Sequence, residues 1–181
     1  MAKNFKLAGR TFTLKDVRFG IHSEETADFT ANLYCDGKRI AFVSNNGQGG
    51  ATDVYYAPEN RDSAREAEEA VRKEIWLTCN NGTVINHSLS TVADECLCQY
   101  ERHSLISKYQ KTALVIEKSN DWSGNFHLCQ LGAAVKIWVQ DYPASLAKKI
   151  AELEDKGWTV VNTNIPTRIY KAAKEWRQTS C

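Results

Sequence analysis

No stretch of this chain approaches the roughly 20 consecutive apolar residues of a membrane-spanning helix. Met1-Ala2-Lys3-Asn4 leads into no apolar run of signal type. An excess of one charge is lacking too: 23 Lys and Arg against 22 Asp and Glu leave a formal net charge of +1. Non-selective grip on bare DNA rests on a basic excess and DNA mimicry on an acidic one, so neither class fits. The Gly-Lys-Ser/Thr run of a phosphate-binding loop, the Gly-x-Ser-x-Gly elbow and the His-Glu-x-x-His zinc motif are all missing. Internal repeats, low-complexity tracts and obvious linkers are missing as well. These absences predict a cytoplasmic protein that neither enters a membrane nor binds DNA without selectivity.

What is present is the composition of an ordinary globular protein: 181 residues, 43% hydrophobic and 25% charged, with five Trp, seven Tyr and six Phe. That length suits one domain with a real core, 1–181, although two lobes also fit. The six cysteines (Cys35, Cys79, Cys96, Cys98, Cys129 and Cys181) follow no framework spacing. In a reducing cytosol they read as free thiols, several acting as small core hydrophobes.

Residues 11–57 read as β. "TFTLKDVRFGI" alternates with a phase change near Asp16 that predicts a bulge. In "ADFTANLYCDGKRIAFVS", Asp36-Gly37 suits a type I′ turn, whose two central residues need positive φ. A tight hairpin about that turn pairs Cys35 with Lys38, Leu33 with Ile40, Ala31 with Phe42 and Phe29 with Ser44. It places those residues on one buried face. Residues 58–111 read as helical. Ser63 to Glu66 fits a capping box, Ala64, Ala67, Val71 and Ile75 follow at helical spacing, and Asn80-Asn81-Gly82 ends the run. A second helix starts near Ser90.

Residues 112–181 alternate. "TALVIEKS", "NFHLCQL", "AVKIWV" and "WTVVN" read as strands, with a turn at 120–124. "PASLAKKIAELEDKG" is a helix closed by Gly157, and Pro166 opens a last helix with Ile169, Ala172, Ala173 and Trp176 on one face. The fold class is α+β: an N-terminal antiparallel β-hairpin sheet, central helices, and a C-terminal βα segment able to extend the sheet.

Two segments are candidate sites. "SNNGQGGATDVYY" (44–56) holds three glycines in four residues. It either connects a hairpin to the next helix or carries a binding loop. Asn45, Asn46, Gln48, Thr52, Asp53, Tyr55 and Tyr56 supply hydrogen-bonding groups and aromatic rings for a partner or ligand. A nucleotide held by Gly47–Gly50 is an alternative, although the loop lacks both a following Lys and the dinucleotide spacing. In the last helix Arg168, Lys171, Lys174 and Arg177 could meet phosphates or an acidic surface, or could simply solvate an amphipathic helix. Cys96 and Cys98, two apart in a predicted helix, point in different directions, and His127/Cys129 lack a second ligand pair, so no metal and no cofactor are expected. His87 and His103 have no nameable catalytic partner, and no catalytic residue is assigned. An enzyme acting on nucleic acid or nucleotides is the remaining alternative.

The Asp36-Gly37 hairpin, the "SNNGQGG" loop and the closing "AELEDKGWTVVNTNIP" resemble, in that order, a family of small proteins carried by bacteriophages and related mobile elements. The resemblance spans most of the chain and rests on structural punctuation, so no site residue carries over. It implies a bacterial host cytosol and action by binding. The expected partner is a host protein or protein–nucleic-acid complex, and the expected effect is inhibition of a host or defence process, such as blocking a nuclease effector.

Overall fold

A computed structural model describes residues 4–21, 24–118 and 127–179. The fold is α+β, as the periodicities predict. The chain divides into two compact units, Met1–Arg102 and His103–Cys181.

The first unit holds a five-stranded antiparallel meander, with β1 (Phe5–Leu7), β2 (Arg10–Phe19), β3 (Asp28–Cys35), β4 (Lys38–Asn46) and β5 (Asp53–Tyr56) in sequential order. Asp36 (φ 49°) and Gly37 (φ 83°) make the left-handed pair that a type I′ turn demands. The predicted bulge in β2 is present. Asp16 has φ 55°, and the β2–β3 register skips between Lys15 and Arg18.

A second bulge was not expected. Cys35 pairs with Lys38 and Tyr34 with Arg39, but Leu33 then faces Ala41 rather than Ile40. Ile40 is the extra residue, and both it and Ala41 lie fully buried. Beyond it the alternation is inverted: Val43 and Asn45 point into the core, whereas Phe42 and Ser44 turn outward. The expected pairings of Ala31 with Phe42 and Phe29 with Ser44 are therefore corrected. A one-residue slip moves every later side chain to the other face.

The inner sheet face carries Phe12, Leu14, Phe29, Ala31, Leu33 and Val43. It packs against α1 (Arg61–Val71), through Ala64, Ala67 and Val71, and against the start of α2 (Leu89–Tyr109), through Leu89, Val92, Ala93 and Cys96. The capping box is corrected, because Ser63 lies inside α1 and Asn60 is its N-cap. Ile75 does not extend the helical stripe. It opens β6 (Ile75–Thr78), which pairs with β7 (Val84–Asn86) in a separate two-stranded hairpin. Asn80-Asn81-Gly82 is the tip of that hairpin rather than a helix stop.

In the second unit β10 (Trp158–Val160), β8 (Ala113–Lys118) and β9 (His127–Gln130) form their own sheet in that order, so the C-terminal segment does not extend the first sheet. "AVKIWV" is a helix, α3 (Val135–Asp141), and the strand expectation there is corrected. Val135 is buried and Trp138 and Val139 pack on the core, at i, i+3 and i+4, while Ile137 is exposed. Short apolar runs fit either period, and burial decides between them. Then α4 (Pro143–Asp155) buries Leu146, Ile150 and Leu153, and α5 (Thr167–Thr179) buries Ile169 and Ala173. Ala172 is exposed, not part of that face. The expected turn at 120–124 lies outside the described residues.

Candidate functional site

The segment 44–56 is neither a hairpin-to-helix connector nor a free loop. It is the turn of a second hairpin, in which β4 and β5 pair Ser44 with Asp53, Val43 with Val54, Phe42 with Tyr55 and Ala41 with Tyr56. Gly47 (φ 78°) and Gly49 (φ 83°) occupy backbone conformations that strain any other L-residue. A Cβ on Gly49 would also collide with the Glu25 carboxylate.

The loop's polar groups are spent on the loop itself. Asn45, 8% exposed, accepts hydrogen bonds at Oδ1 from Thr26 Oγ1 (2.8 Å) and Gly47 N–H (3.0 Å). Its Nδ2 donates to Gly50 O (2.9 Å) and Thr52 Oγ1 (3.4 Å). Gln48 N–H is taken by Asn46 Oδ1 and Gly49 N–H by Thr26 Oγ1. The Gly47 carbonyl receives three N–H groups, from Glu24, Glu25 and Thr26. A phosphate cradle needs consecutive inward N–H groups left unclaimed. Here the three consecutive amides 47–49 are claimed by side-chain oxygens, and the Glu25 carboxylate stands beside them.

Thr52 is buried and donates from Oγ1 to Asp94 Oδ1 on α2 at 2.5 Å. Burial pushes the Asp94 carboxyl above the usual range; the Thr52 hydrogen bond offsets this in part, and nearby Glu95 adds to it. The folded chain therefore holds this proton more tightly than the unfolded chain. Ionising Asp94 costs stability once pH rises above the unfolded value, and the full cost is present above the folded one. Asp94→Asn keeps an acceptor for Thr52 without the charge, so it should raise the melting temperature at neutral pH. That gain should shrink as pH falls through the raised folded value toward the ordinary carboxylate range. Melts across that range check the point; a gain independent of pH would contradict it.

The expected site residues thus separate by strand alternation. Asn45 and Thr52 face inward and hold the hairpin together. Asn46, Asp53 and Tyr55 share the outer sheet face, Gln48 is exposed in the loop, and Tyr56 lies on the opposite side from Tyr55, exposed near the sheet edge. The residue missed in the sequence is Phe42. The Ile40 bulge turns it outward, where it is 42% exposed beside Tyr55 at 57%. Their ring centroids are 6.2 Å apart. Cross-strand pairing extends this row through Asn32 on β3 to Lys15 on β2. Lys15 Nζ also lies 4.1 Å from the centroid of the Tyr34 ring.

The basic residues of α5 do not form one patch. Each step of three residues falls about 60° short of a full helical turn, so Arg168 and Arg177 end on opposite sides. Arg177 is tied to Glu154 (3.3 Å) and Asp155 (2.6 Å) of α4, whereas Arg168, Lys171 and Lys174 are exposed. His87 is a packing residue, 7% exposed, with Nδ1 3.1 Å from Thr91 Oγ1 and the Phe5 and Trp76 rings nearby. His103 Nδ1 is buried without a hydrogen-bond partner among the described residues. Burial, with Glu95 adding to it, pushes the Cys96 thiol up to about 12, and burial and Asp36 push Cys35 up to about 11, so both stay protonated and unreactive. Cys35, Cys79, Cys96, Cys98 and Cys129 are free thiols. Among the described residues no three His, Cys, Asp or Glu side chains gather as a metal site, and no helix is long and apolar enough to cross a membrane.

No protein-family model, curated protein or solved structure matches the chain.

Proposed function

We propose that this chain is a non-catalytic binding protein that recognises a protein partner with the outer face of its first sheet, centred on Phe42 and Tyr55. The exposed cross-strand pairing of these two rings carries the reading. Rigid aromatic side chains bury much area for little lost entropy, and such residues dominate protein interfaces. Here the sheet beneath them holds them in place before contact. Lys15 at one end of the row and Asp53 beside Tyr55 add one charge of each sign, as the polar rim of a protein interface does. A nucleic-acid strand on this face would meet Asp53, and a phosphate at the glycines would meet Glu25 and amides already bonded.

The partner class we assign is a bacterial host protein of a defence process, such as a nuclease effector, alone or in complex with nucleic acid and reached in the host cytosol. Inhibition would follow from occlusion of the partner's surface. The resemblance to proteins of bacteriophages and mobile elements supports that context, and the aromatic face supports the mode.

The test compares the tagged chain with its Phe42→Ala/Tyr55→Ala variant in affinity capture from a bacterial lysate, read by mass spectrometry. A specifically retained host protein should be lost with the double variant while the chain stays folded, its stability falling by no more than the roughly 0.2–1 kcal/mol of a cross-strand aromatic pair, since both side chains lie on the solvent face. Retention that survives the double change, or no specific retention by the parent chain, would refute the proposal.

A further inference from the structure

The hairpin β6–β7 is built unlike the rest of the first unit. Ile75, Trp76, Leu77, Val84 and Ile85 are between 39% and 60% exposed, and all seven residues of the two strands are exposed. Leu77 opposes Ile85 on one face and Val84 opposes Thr78 on the other, so apolar side chains meet water on both faces. No residue from Ile75 to Asn86 is charged and none is proline. Natural sheets guard open edges with charges, prolines or bulges. The devices here are the register break between Ile75 and Leu77 and the shortness of the strands, four and three residues. A lone two-stranded hairpin is also marginally stable in water unless further strands or a helix cover it.

We infer that this hairpin is the interface between two copies of the chain, packed hairpin against hairpin across a two-fold axis. Area supports that occupant. The exposed parts of the five side chains amount to roughly 400–500 Å² per copy, at the areas usual for groups of this size. A standard interface buries about 800 Å² per partner, of which about 56–65% is apolar, so the patch supplies the apolar core one needs. Charge supports it as well. A two-fold contact sets a segment against itself, and a segment without charges meets no like-charge repulsion in doing so. A lipid surface fits less well, because the tip that would enter first is Asn80-Asn81-Gly82, which is polar, while the apolar groups lie along the strands. This contact uses elements other than the Phe42–Tyr55 face and does not depend on the function proposed for that face.

Sedimentation velocity on the full chain, from low-micromolar to hundred-micromolar concentration, tests the inference. The parent should pass from monomer to dimer. Leu77→Glu should weaken the dimer at least about 100-fold, since it buries an unpaired charge at the centre of the contact. Asn81→Asp at the tip should leave it intact. Far-UV circular dichroism reports whether Leu77→Glu is folded. If it is not, Ile85→Lys on the neighbouring strand makes the same test, and the concentration dependence of the parent stands by itself. A parent that stays monomeric throughout, or a dimer indifferent to a folded Leu77→Glu, would overturn the inference. So would a monomer that floats with phosphatidylglycerol vesicles, which would assign the hairpin to a lipid surface instead.

Discussion

Asn162→Ala should cost about 2–6 kcal/mol of stability, the sum of two buried backbone groups losing partners at roughly 1–3 kcal/mol each. Asn162 is 5% exposed and lies two residues past the end of β10. Val161 N–H still bonds Val115 O on β8 (2.9 Å), and the Asn162 side chain then extends that ladder where the backbone turns away. Its Oδ1 accepts from Val115 N–H at 2.7 Å, and its Nδ2 donates to Ala113 O at 3.0 Å and Gln110 O at 3.2 Å. Val115 and Ala113 are buried, so water cannot replace what alanine removes. Gln110 O is better protected, because Asn164 Nδ2 also reaches it at 2.8 Å. Asn162→Asp should do no better at neutral pH. It keeps the acceptor for Val115 but loses the donor and sets a buried carboxylate against two carbonyls. Urea titrations of both variants give the measurement, and a loss under about 1 kcal/mol in Asn162→Ala would refute the account.

The second large effect belongs to Asn45. Asn45→Ala should lose about 2–3 kcal/mol, because it removes four hydrogen bonds that tie Thr26, Gly47, Gly50 and Thr52 together below the surface. The neighbouring Asn46→Ala should change stability by no more than about 0.5 kcal/mol, since Asn46 is exposed and supports a single amide of the turn. The contrast matters for function. Loss of partner capture in Asn45→Ala should appear only together with a lowered melting temperature, as expected of a residue that shapes the hairpin. Asn45→Ala that melts like the parent yet fails to capture would instead make Asn45 a contact residue. Equal losses in the two variants would show that the inward and outward assignments are wrong.

Much of the local structure was legible because its causes lie within a few residues. The Asp36-Gly37 turn needs positive φ at two adjacent positions, and few dipeptides other than this one tolerate that. Phe29, Ala31, Leu33 and Cys35 alternate on one strand, and all four are buried. The Leu146, Ile150 and Leu153 stripe with Gly157 behind it marks α4 with its stop. The α+β class follows from such pieces.

The face that carries the proposed function was not legible in the same way. Whether Ile40 is paired or bulged depends on how β4 seats Ile40 and Ala41 together against the core beneath, which no local pattern records. That one choice turned Phe42 outward and Asn45 inward, and so put an aromatic ring in solvent and an amide below the surface. Likewise Ile75 fits a helical stripe in sequence. Whether it joins α1 or β6 depends on a partner strand, Val84–Asn86, beyond the Asn80-Asn81-Gly82 turn. Residues 134–139 satisfy both periods, and only packing of Val135, Trp138 and Val139 against α4 and its neighbours selects the helix. By itself, then, the sequence determined the Asp36-Gly37 turn, the Gly157 helix stop and the long amphipathic stripe of α4, whose energies are local. Tertiary structure alone decided register, strand partners and which aromatic rings meet solvent, because those depend on contacts between residues far apart in the chain.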